Sequence, residues 1–335
     1  MRETPAVELP APVVQREQPL VIYVLPVYDE VDGVDAFHAA LVEATARRPD
    51  LRVEFVYVDD GSSDGSLDRL LELRAGDPRV TVLGLSRNFG HQLAVTAGLD
   101  LAHEARPDAV IVMDTDLQDP PAVSLELIEV WESGADVVYA QRRSRRDTLF
   151  KRTTASSFYW LLDRLAETHI PRDVGDFRLI DRRVLDVLVT YREHNRFLRG
   201  LVANLGFRQE GVLFDRDARV AGESKYPLRR MLRLAADGIL GFSTFPLRLI
   251  SRLGGAISAL SLLAALYAVV VRVLFPAHAV PGWAFLGVGM FFLGGIQLIM
   301  MGVIGSYVGR TYVQSLNRPL YNVALVARGQ ETPAE

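Results

Sequence analysis

One short acidic segment contains the residue types that could do chemistry. Residues 113–121 read MDTDLQDPP, with Asp114 and Asp116 in a D-x-D arrangement directly after an apolar run. Carboxylates gathered at the end of a buried strand repel one another unless a cation or hydrogen-bond donors neutralise them. Oxygen ligands of this type suit Mg²⁺ or Mn²⁺, which also bridge to substrate phosphates. The segment predicts a metal and nucleotide-diphosphate site; the alternative is a solvated turn that happens to be acidic.

The elements around this segment favour the site. Residues 20–25 form an apolar run followed by PVYDE, and residues 53–58 form a second one followed by Asp59-Asp60 and the turn-forming GSSDGS. Strands that each end in polar side chains suggest a site at the carboxyl edge of a parallel sheet. Because the glycines there do not make a GxGxxG pattern, the dinucleotide-binding alternative lacks its usual fingerprint.

Alternating strand and helix patterns predict a doubly wound α/β unit with right-handed connections. The predicted strands cover residues 20–25, 53–58, 80–85, 110–113, 136–140 and 212–215, and the predicted helices cover 34–47, 66–74, 92–102, 122–133, 150–165 and 182–191.

Composition adds a membrane-spanning part to this picture. The chain has 335 residues, 49% of them hydrophobic, and a mean hydropathy of +0.15. Residues 253–271 and 279–309 carry no charge, so each run is long enough to cross a hydrocarbon core of about 30 Å as a helix. Buried helices of a large soluble core are the weaker alternative. The absence of cysteine excludes disulfides, thiolate metal sites and cysteine nucleophiles.

Charge distribution predicts the orientation of the two spans. Arg248 and Arg252 precede the first span, and Arg310 and Arg318 follow the second. The positive-inside rule therefore places both termini in the cytoplasm, and the first residues lack the apolar core of a signal peptide. Arginines interleaved with apolar residues over 226–247 predict interfacial amphipathic helices. The net charge of −4 gives no global nucleic-acid footprint.

A basic run over residues 142–152 has three interpretations. It contains Arg142, Arg143, Arg145, Arg146, Lys151 and Arg152. It could be a solvated face, part of a nucleic-acid patch, or a site for an anionic lipid head group at the cytoplasmic surface. The membrane anchor favours the third interpretation, and Ser156 lies one helical turn after Arg152 on the same face.

The chain resembles the bacterial polyprenyl-phosphate glycosyltransferases of glycosyltransferase family 2, the GtrB-like relatives of dolichol-phosphate mannose synthase. The resemblance covers nearly everything after residue 19. The matching stretches are LPVYDE (25–30), VDDGSSDGS (58–66), LSRNFGHQ (85–92), MDTDLQDPP (113–121), GDFRLIDRR (175–183), RFLRGL (196–201) and RVAGESKY (219–226).

This resemblance implies a role for individual residues. Nucleotide-sugar binding would involve Pro26, Tyr28, Glu30, Asp59, Asp114, Arg219 and Lys225. The metal, Mg²⁺ or Mn²⁺, would be held by Asp114, Asp116 and Gln118. The acceptor phosphate would be bound by Arg142, Arg143, Arg152 and Ser156. The residues expected to act in catalysis are Asp116, Asp176, Arg152 and Lys225, although an isolated Asp176 is more often a helix cap or an ion-pair partner.

The family likeness also implies the reaction and the partners. Family members transfer one sugar from a nucleotide donor to a polyprenyl phosphate at the inner leaflet, with inversion at the anomeric carbon. The expected donor is UDP-glucose or another UDP-hexose, and the expected acceptor is undecaprenyl phosphate. A GDP-mannose enzyme and a catalytically idle membrane scaffold or lipid-translocation protein are the alternatives. The Q-x-x-R-W motif of processive synthases is absent, which favours a single transfer.

The predicted architecture is a GT-A domain, Rossmann-like with a mostly parallel sheet, in the cytoplasm and anchored to the inner membrane. Its expected parts are a disordered tail (1–18), the GT-A domain (19–225), interfacial helices (226–247), two transmembrane helices within 248–310 (about 253–275 and 282–309) and a cytoplasmic tail (311–335). Glycines in the spans permit close helix packing. With the family likeness they imply a homo-oligomer, with a tetramer among the candidate states.

Overall fold

The structure is a computed structural model that describes residues 18–143, 174–194, 196–214, 245–274 and 283–329. The described chain divides into two compact units. The first contains a β-sheet with its flanking helices and includes the residues after 318. The second contains two long apolar helices.

The first unit is built on one eight-stranded sheet with the order β7-β5-β6-β4-β1-β2-β3-β8. All of the strands run parallel except β6 and β8. The strands are β1 (Leu20–Val27), β2 (Arg52–Asp59), β3 (Val80–Leu85), β4 (Ala109–Val112), β5 (Val137–Arg142), β6 (Val174–Asp181), β7 (Gln209–Phe214) and β8 (Val323–Ala327). The predicted mixed and mostly parallel α/β sheet is confirmed.

Helices cover both faces of the sheet because its strands are apolar on both faces. One layer holds α1 (Val34–Thr45), α2 (Ser66–Gly76) and α4 (Val123–Glu132), and the other holds α3 (His91–Glu104), α5 (Arg182–Leu188) and α6 (Leu198–Asn204). Successive residues of β1 alternate between the two layers: Tyr23 packs with the first and Val24 with the second. This α/β/α arrangement leaves the strand ends free to form a site.

Strand β1 continues through Pro26, whereas the sequence predicted a strand broken at that proline. The Pro26 carbonyl faces the β4 side of the strand, since it accepts a hydrogen bond from Thr115 Oγ1 at 3.2 Å. Strand β4 ends at Val112, and its last paired residue on β1 is Val24. The missing N–H of proline therefore falls where no ladder partner is needed.

Strand β6 and helix α6 were not predicted. Residues 176–179 alternate polar and apolar side chains over only four positions, directly after Gly175, and their pairing with β4 and β5 is antiparallel. Since β6 runs against β4, the start of β6 lies at the edge where β4 ends. This places Asp176 beside the acidic segment.

The predicted cytoplasmic tail of 311–335 contains a β-strand that was not predicted. Strand β8 pairs antiparallel with β3 at the edge of the sheet, with Leu83 opposite Val326. The backbone N–H of Ser86 also donates to the Asn322 carbonyl at 2.9 Å. The segment is short and apolar, so its identity as a strand depends on the β3 edge that it covers.

The second unit consists of α7 (Phe245–Leu274) and α8 (Trp283–Ser315). At a rise of about 1.5 Å per residue, their 30 and 33 residues exceed the length needed to cross a bilayer. Each contains a segment apolar enough to be a membrane span, Phe245–Ala264 and Phe292–Ser315. Helix α7 begins at Phe245, before the predicted start at about 253, and helix α8 ends at Ser315, after the predicted end at about 309. These two ends contain the charged residues Arg248, Arg252 and Arg310.

Candidate active site

The carboxyl edge of the parallel strands gathers the polar loops that follow β1, β2 and β4. The loop after β1 is tied to the turn after β2: the backbone N–H of Asp29 donates to Ser62 Oγ at 3.0 Å, and Ser63 N donates to Asp29 Oδ1 at 2.9 Å. The backbone N–H of Glu30 donates to Ser66 Oγ at 2.9 Å. These bonds fix the two loops against each other.

Asp59 ends β2, Asp60 directly follows it, and both are buried. Asp59 accepts from the Ser62 backbone N–H, and Asp60 accepts from the N–H groups of Phe89 at 2.7 Å and Gly90 at 2.9 Å. Burial raises the pKa of both carboxyls, and these hydrogen bonds oppose the rise. Asp60 therefore anchors the loop after β3 to the same edge.

The D-x-D segment forms a tight turn after β4. Asp116 Oδ1 accepts from the backbone N–H of Gln118 at 3.0 Å, and Leu117 between them has a φ of 56°, in the left-handed region. The Asp114 side chain is 37% exposed, so it borders solvent. Removal from water raises the pKa of Asp114; the charges of Asp176 and two neighbouring carboxylates add to the rise, and His91 opposes it.

Asp176 is the centre of a hydrogen-bond cluster next to this turn. Its Oδ1 accepts from Arg199 Nε at 2.8 Å, and its Oδ2 accepts from Gln92 Nε2 at 2.9 Å and lies 3.0 Å from His91 Nε2. His91 Nε2 is also 3.7 Å from Asp114 Oδ1. The imidazole thus lies between two carboxylates and links the cluster to the D-x-D segment.

Interactions within this cluster lower the pKa of Asp176 and raise the pKa of His91. Burial would raise the pKa of Asp176, but the His91 hydrogen bond and the Arg199 guanidinium outweigh it and hold that pKa far below its usual range. Burial lowers the pKa of His91, and the hydrogen bond and charge of Asp176, with the charge of Asp114, raise it above its ordinary value. An ionised Asp176 with three donors is a poor general base.

Four of the nucleotide-binding residues predicted from the sequence lie on two adjacent strands or in the loop that follows the first of them. Pro26 is opposite Val58 in the ladder of β1 and β2, so it is next to Asp59. Tyr28 is 47% exposed and Glu30 is partly buried. The structure brings these residues to one edge, and nucleotide binding by them stays a prediction.

The predicted acceptor and diphosphate residues are largely outside the described part of the chain. Arg142 ends β5 and Arg143 follows it as an exposed residue whose backbone N–H donates to the Phe214 carbonyl at 3.0 Å. The remaining predicted residues, Arg152, Ser156, Arg219 and Lys225, lie outside the described residues. So do all but the last residue of the predicted tail (1–18), the predicted helix 150–165 and most of the interfacial segment 226–247.

The metal set of Asp114, Asp116 and Gln118 stays a prediction. Over the described ranges, no group of three or more His, Asp or Glu side chains is arranged to hold a metal ion. Mg²⁺ in phosphate-transfer sites is commonly held by one or two carboxylates together with substrate phosphates. Two carboxylates, one of them with a pKa raised by burial and, to a smaller extent, by neighbouring carboxylates, fit a cation that binds together with the donor diphosphate.

Sequence analysis missed the residues around Asp176. His91 and Gln92 begin α3, Arg199 lies on α6, and Arg178 on β6 is buried beside them. A usable signal was present: the polar loop after β3 follows the same carboxyl-edge pattern as the loops after β1 and β2. Arg199 lies in the family-like stretch RFLRGL (196–201), but its contact with Asp176 depends on an unpredicted helix.

A mostly parallel sheet with a D-x-D turn at its carboxyl edge is the arrangement of GT-A glycosyltransferases, and this chain is a glycosyltransferase enzyme. Residues 23–189 match the model of glycosyl transferase family 2. The chain belongs to that family, because the match is accompanied by relatives that are similar over nearly the whole chain.

Three such relatives show the extent of the similarity. "Uncharacterized glycosyltransferase YkcC" of Bacillus subtilis (strain 168) is 44% identical over 90% of this chain and 92% of its own length. "SfII prophage-derived bactoprenol glucosyl transferase" of Shigella flexneri is 39% identical over 91% of this chain and 98% of its own. "Prophage bactoprenol glucosyl transferase homolog" of Escherichia coli (strain K12) is 37% identical over the same shares. The GtrB-like resemblance is confirmed.

Proposed function

We propose that the protein transfers one glucosyl residue from a nucleotide sugar, UDP-glucose, to a polyprenyl phosphate at the cytoplasmic face of the inner membrane. One observation carries the proposal: relatives named bactoprenol glucosyl transferases align over 91% of the chain. An alignment of that extent includes the long apolar helices as well as the sheet. A lipid acceptor explains why a glycosyltransferase sheet is joined to two helices of membrane-spanning length.

The connectivity of the chain supports the proposed orientation. Strand β7 of the sheet precedes α7 in the chain, and β8, which follows α8, belongs to the same sheet and pairs with β3. A hairpin of two spans leaves and re-enters one side of a membrane, whereas a single span would separate β8 from β3. This agrees with the arginines at both ends of the hairpin and the positive-inside rule.

We assign the nucleoside to the edge formed by β1 and β2, with Pro26, Tyr28, Glu30 and Asp59 as its contacts. The hydrogen bonds between the loop after β1 and the turn after β2 support this assignment, because they preorganise the edge before a ligand binds. Backbone carbonyls and buried carboxylates at such an edge are suited to a polar ligand.

We assign the diphosphate to the D-x-D segment, with Asp114, Asp116 and Gln118 as the residues that would hold Mg²⁺ or Mn²⁺. When bound, such a cation would neutralise charge on the nucleoside diphosphate leaving group. Arg219 and Lys225 are assigned to the same diphosphate by the family likeness.

The acceptor needs orientation more than deprotonation. A phosphate monoester has a second pKa of about 6, so the lipid phosphate is mostly dianionic near neutral pH. The low pKa of Asp176 agrees with a reaction in which the nucleophile arrives already ionised. Arg142, Arg143, Arg152 and Ser156 are assigned to this phosphate, whose attack from the face opposite the leaving group inverts the anomeric carbon.

Transfer of radiolabel tests the proposal. The full chain in detergent is given undecaprenyl phosphate and a panel of UDP- and GDP-sugars, with Mg²⁺, Mn²⁺ or EDTA. We expect a lipid-linked product from UDP-glucose that EDTA abolishes and added cation restores. Asp116→Ala should abolish transfer, and Asp68→Ala, an exposed acidic residue in the first turn of α2, should not.

Each other outcome indicates a specific alternative. A product from GDP-mannose alone would identify the dolichol-phosphate-mannose type of enzyme. Binding of UDP without transfer from any donor would refute the glucosyl assignment, and the absence of nucleotide binding would favour a catalytically idle scaffold. Product formation that is unaffected by EDTA and by Asp116→Ala would refute the metal assignment.

A further inference from the structure

The cluster around Asp176 joins three separate elements of the fold. Asp176 lies on β6, His91 and Gln92 begin α3, and Arg199 lies on α6. The carboxylate is nearly buried, with 8% of its side chain exposed. His91 is the member of the cluster that borders solvent and the D-x-D segment: its side chain is 41% exposed and its Nε2 is 3.7 Å from Asp114 Oδ1.

We propose that Arg199 is a positioning residue for the transfer reaction: it fixes the carboxylate of Asp176, and that carboxylate fixes the imidazole of His91 beside Asp114. The proposal rests on the proposed function, because transfer is one of its readouts. Arg199 does not need to touch either substrate for this role.

Arg199 contacts both oxygens of Asp176. Its Nε donates to Oδ1 at 2.8 Å and its Nη2 donates to Oδ2 at 3.4 Å, whereas Gln92 and His91 contact Oδ2 alone. The final torsion of an aspartate side chain is broad, so contacts to a single oxygen leave the carboxylate plane free to rotate. The guanidinium holds the plane through both oxygens, and Oδ2 then stays directed at His91.

Gln92 fixes the distance between the two helices that supply the donors. Its Nε2 donates to Asp176 Oδ2 at 2.9 Å, and its Oε1 accepts from the backbone N–H of Leu198 at 2.9 Å. Leu198 begins α6 and directly precedes Arg199. The amide therefore ties the start of α3 to the start of α6, and Arg199 approaches Asp176 from a fixed position.

The chain offers a matched control for Arg199. Arg192 precedes it by seven positions and pairs with a carboxylate of α3, since its Nη1 donates to Asp100 Oδ2 at 2.6 Å. This pair has the same chemistry, an arginine bonded to a mostly buried aspartate, but it belongs to the other end of α3. Arg192→Ala removes an equivalent ion pair without affecting the Asp176 cluster.

The first measurement is the kinetics of transfer by the full chain. We expect Arg199→Ala to lower kcat about 10- to 100-fold, as a displaced supporting group does, with the KM for the nucleotide sugar unchanged. Arg199→Lys should recover part of kcat, because it restores the charge without the planar fork. Arg192→Ala should stay within about twofold of the wild type, as surface substitutions usually do.

The second measurement reports the geometry without catalysis. The full chain is labelled with ¹⁵N-histidine, and the signal of His91 among the six histidines is assigned from its loss in His91→Gln. We expect Arg199→Ala to shift the His91 ring signals and Arg192→Ala to leave them in place. This result holds even for a wild type that shows no transfer, so a failure of the proposed function is distinguished from a failure of this inference.

Two results would overturn the inference. One is a His91 signal that is the same in Arg199→Ala and the wild type. The other is a pattern in which Arg199→Lys loses as much kcat as Arg199→Ala, and Arg192→Ala shows the same loss of kcat and the same drop in melting temperature. That pattern would mean that Arg199 contributes to stability alone.

Discussion

Replacing Asp176 by Asn should lower the stability of the fold, whereas replacing a carboxylate that serves only the reaction should not. The Asp176 carboxylate pairs with Arg199 and lies beside Arg178, which is 4% exposed. An amide in its place leaves both guanidinium groups without their nearest negative charge. Removal of one partner from a buried ion pair costs about 3–5 kcal/mol. Because the Arg199 side chain is 32% exposed, water compensates in part, and the low end, about 3 kcal/mol, applies.

This cost can be read as a melting temperature. For a domain of about 150–250 residues, 1 kcal/mol corresponds to about 2–4 °C, so Asp176→Asn should lower the apparent melting temperature by about 6–12 °C. The pKa of Asp176 is lowered in the folded protein. Its stabilisation is therefore complete above the unfolded aspartate pKa of about 3.9 and is lost only as pH falls below it. The part of the difference that comes from the two arginines should therefore be constant from neutral pH down to mildly acidic pH. Because Asp176 also raises the pKa of His91, the difference should grow as pH falls through the range in which that imidazole becomes protonated.

Asp116→Asn is the matched comparison. Asp116 is partly exposed, and its Oδ1 accepts from the Gln118 backbone N–H within its own turn. We expect a change in stability of at most about 0.5 kcal/mol, with loss of transfer. Both variants are measured in the same detergent, by intrinsic fluorescence on heating and by radiolabel transfer. An Asp176→Asn protein that melts with the wild type would refute the buried charge network, and so would an Asp116→Asn protein destabilised to the same extent.

Two further predictions concern packing and pH. Gly98→Ala should lower the melting temperature, because an added Cβ would lie 2.4 Å from Val24 Cγ1 and 2.9 Å from Val58 Cγ2. Overpacking of a core costs about 1–3 kcal/mol. Gly76→Ala is the control and should not lower it, because no atom lies within 4 Å of the added Cβ. Burial lowers the pKa of His38, so the folded state favours the neutral imidazole and loses stability as pH falls below about 6.5. In urea unfolding, the free energy of unfolding should therefore fall less between pH 7 and pH 5 for His38→Gln than for the wild type.

The controls decide these two predictions in different ways. Equal melting temperatures for Gly98→Ala and the wild type would show that α3 shifts on the sheet without cost. For the histidine, only the difference between the two proteins is informative, because other groups titrate in the same range. Parallel pH dependences for the wild type and His38→Gln would contradict the assigned burial effect.

Sequence patterns predicted the local elements well where one strand or helix carries its own signal. Residues 80–85 were predicted as a strand and form β3 with the same bounds, and most predicted helices differ only at their ends. The carboxyl-edge rule also brought Pro26, Asp59 and Asp114 together, because it depends only on strands being parallel and adjacent.

The rest of the site depends on contacts between distant parts of the chain. His91 and Arg199 meet at Asp176 from positions 85 and 23 residues away, and neither distance has a local pattern. Asp176 lies at the carboxyl edge of the parallel strands because β6 is antiparallel to them. The N-terminal end of β6 is therefore beside the C-terminal ends of its neighbours. A pattern of apolar residues does not specify which neighbour a strand will choose, and the direction of β6 follows from that choice.

The position of β8 has a consequence for the biogenesis of the protein. The chain is synthesised from its N-terminus, so β3 is complete long before β8, and the residues of both long helices come between them. Until β8 is added, the outer edge of β3 presents unpaired backbone groups, which are a template for aggregation. The sheet can be completed only after both long helices have been synthesised, so the pairing of its last strand is the last to form. A chain that stops before residue 319 would carry every residue of the candidate site and still lack a finished sheet.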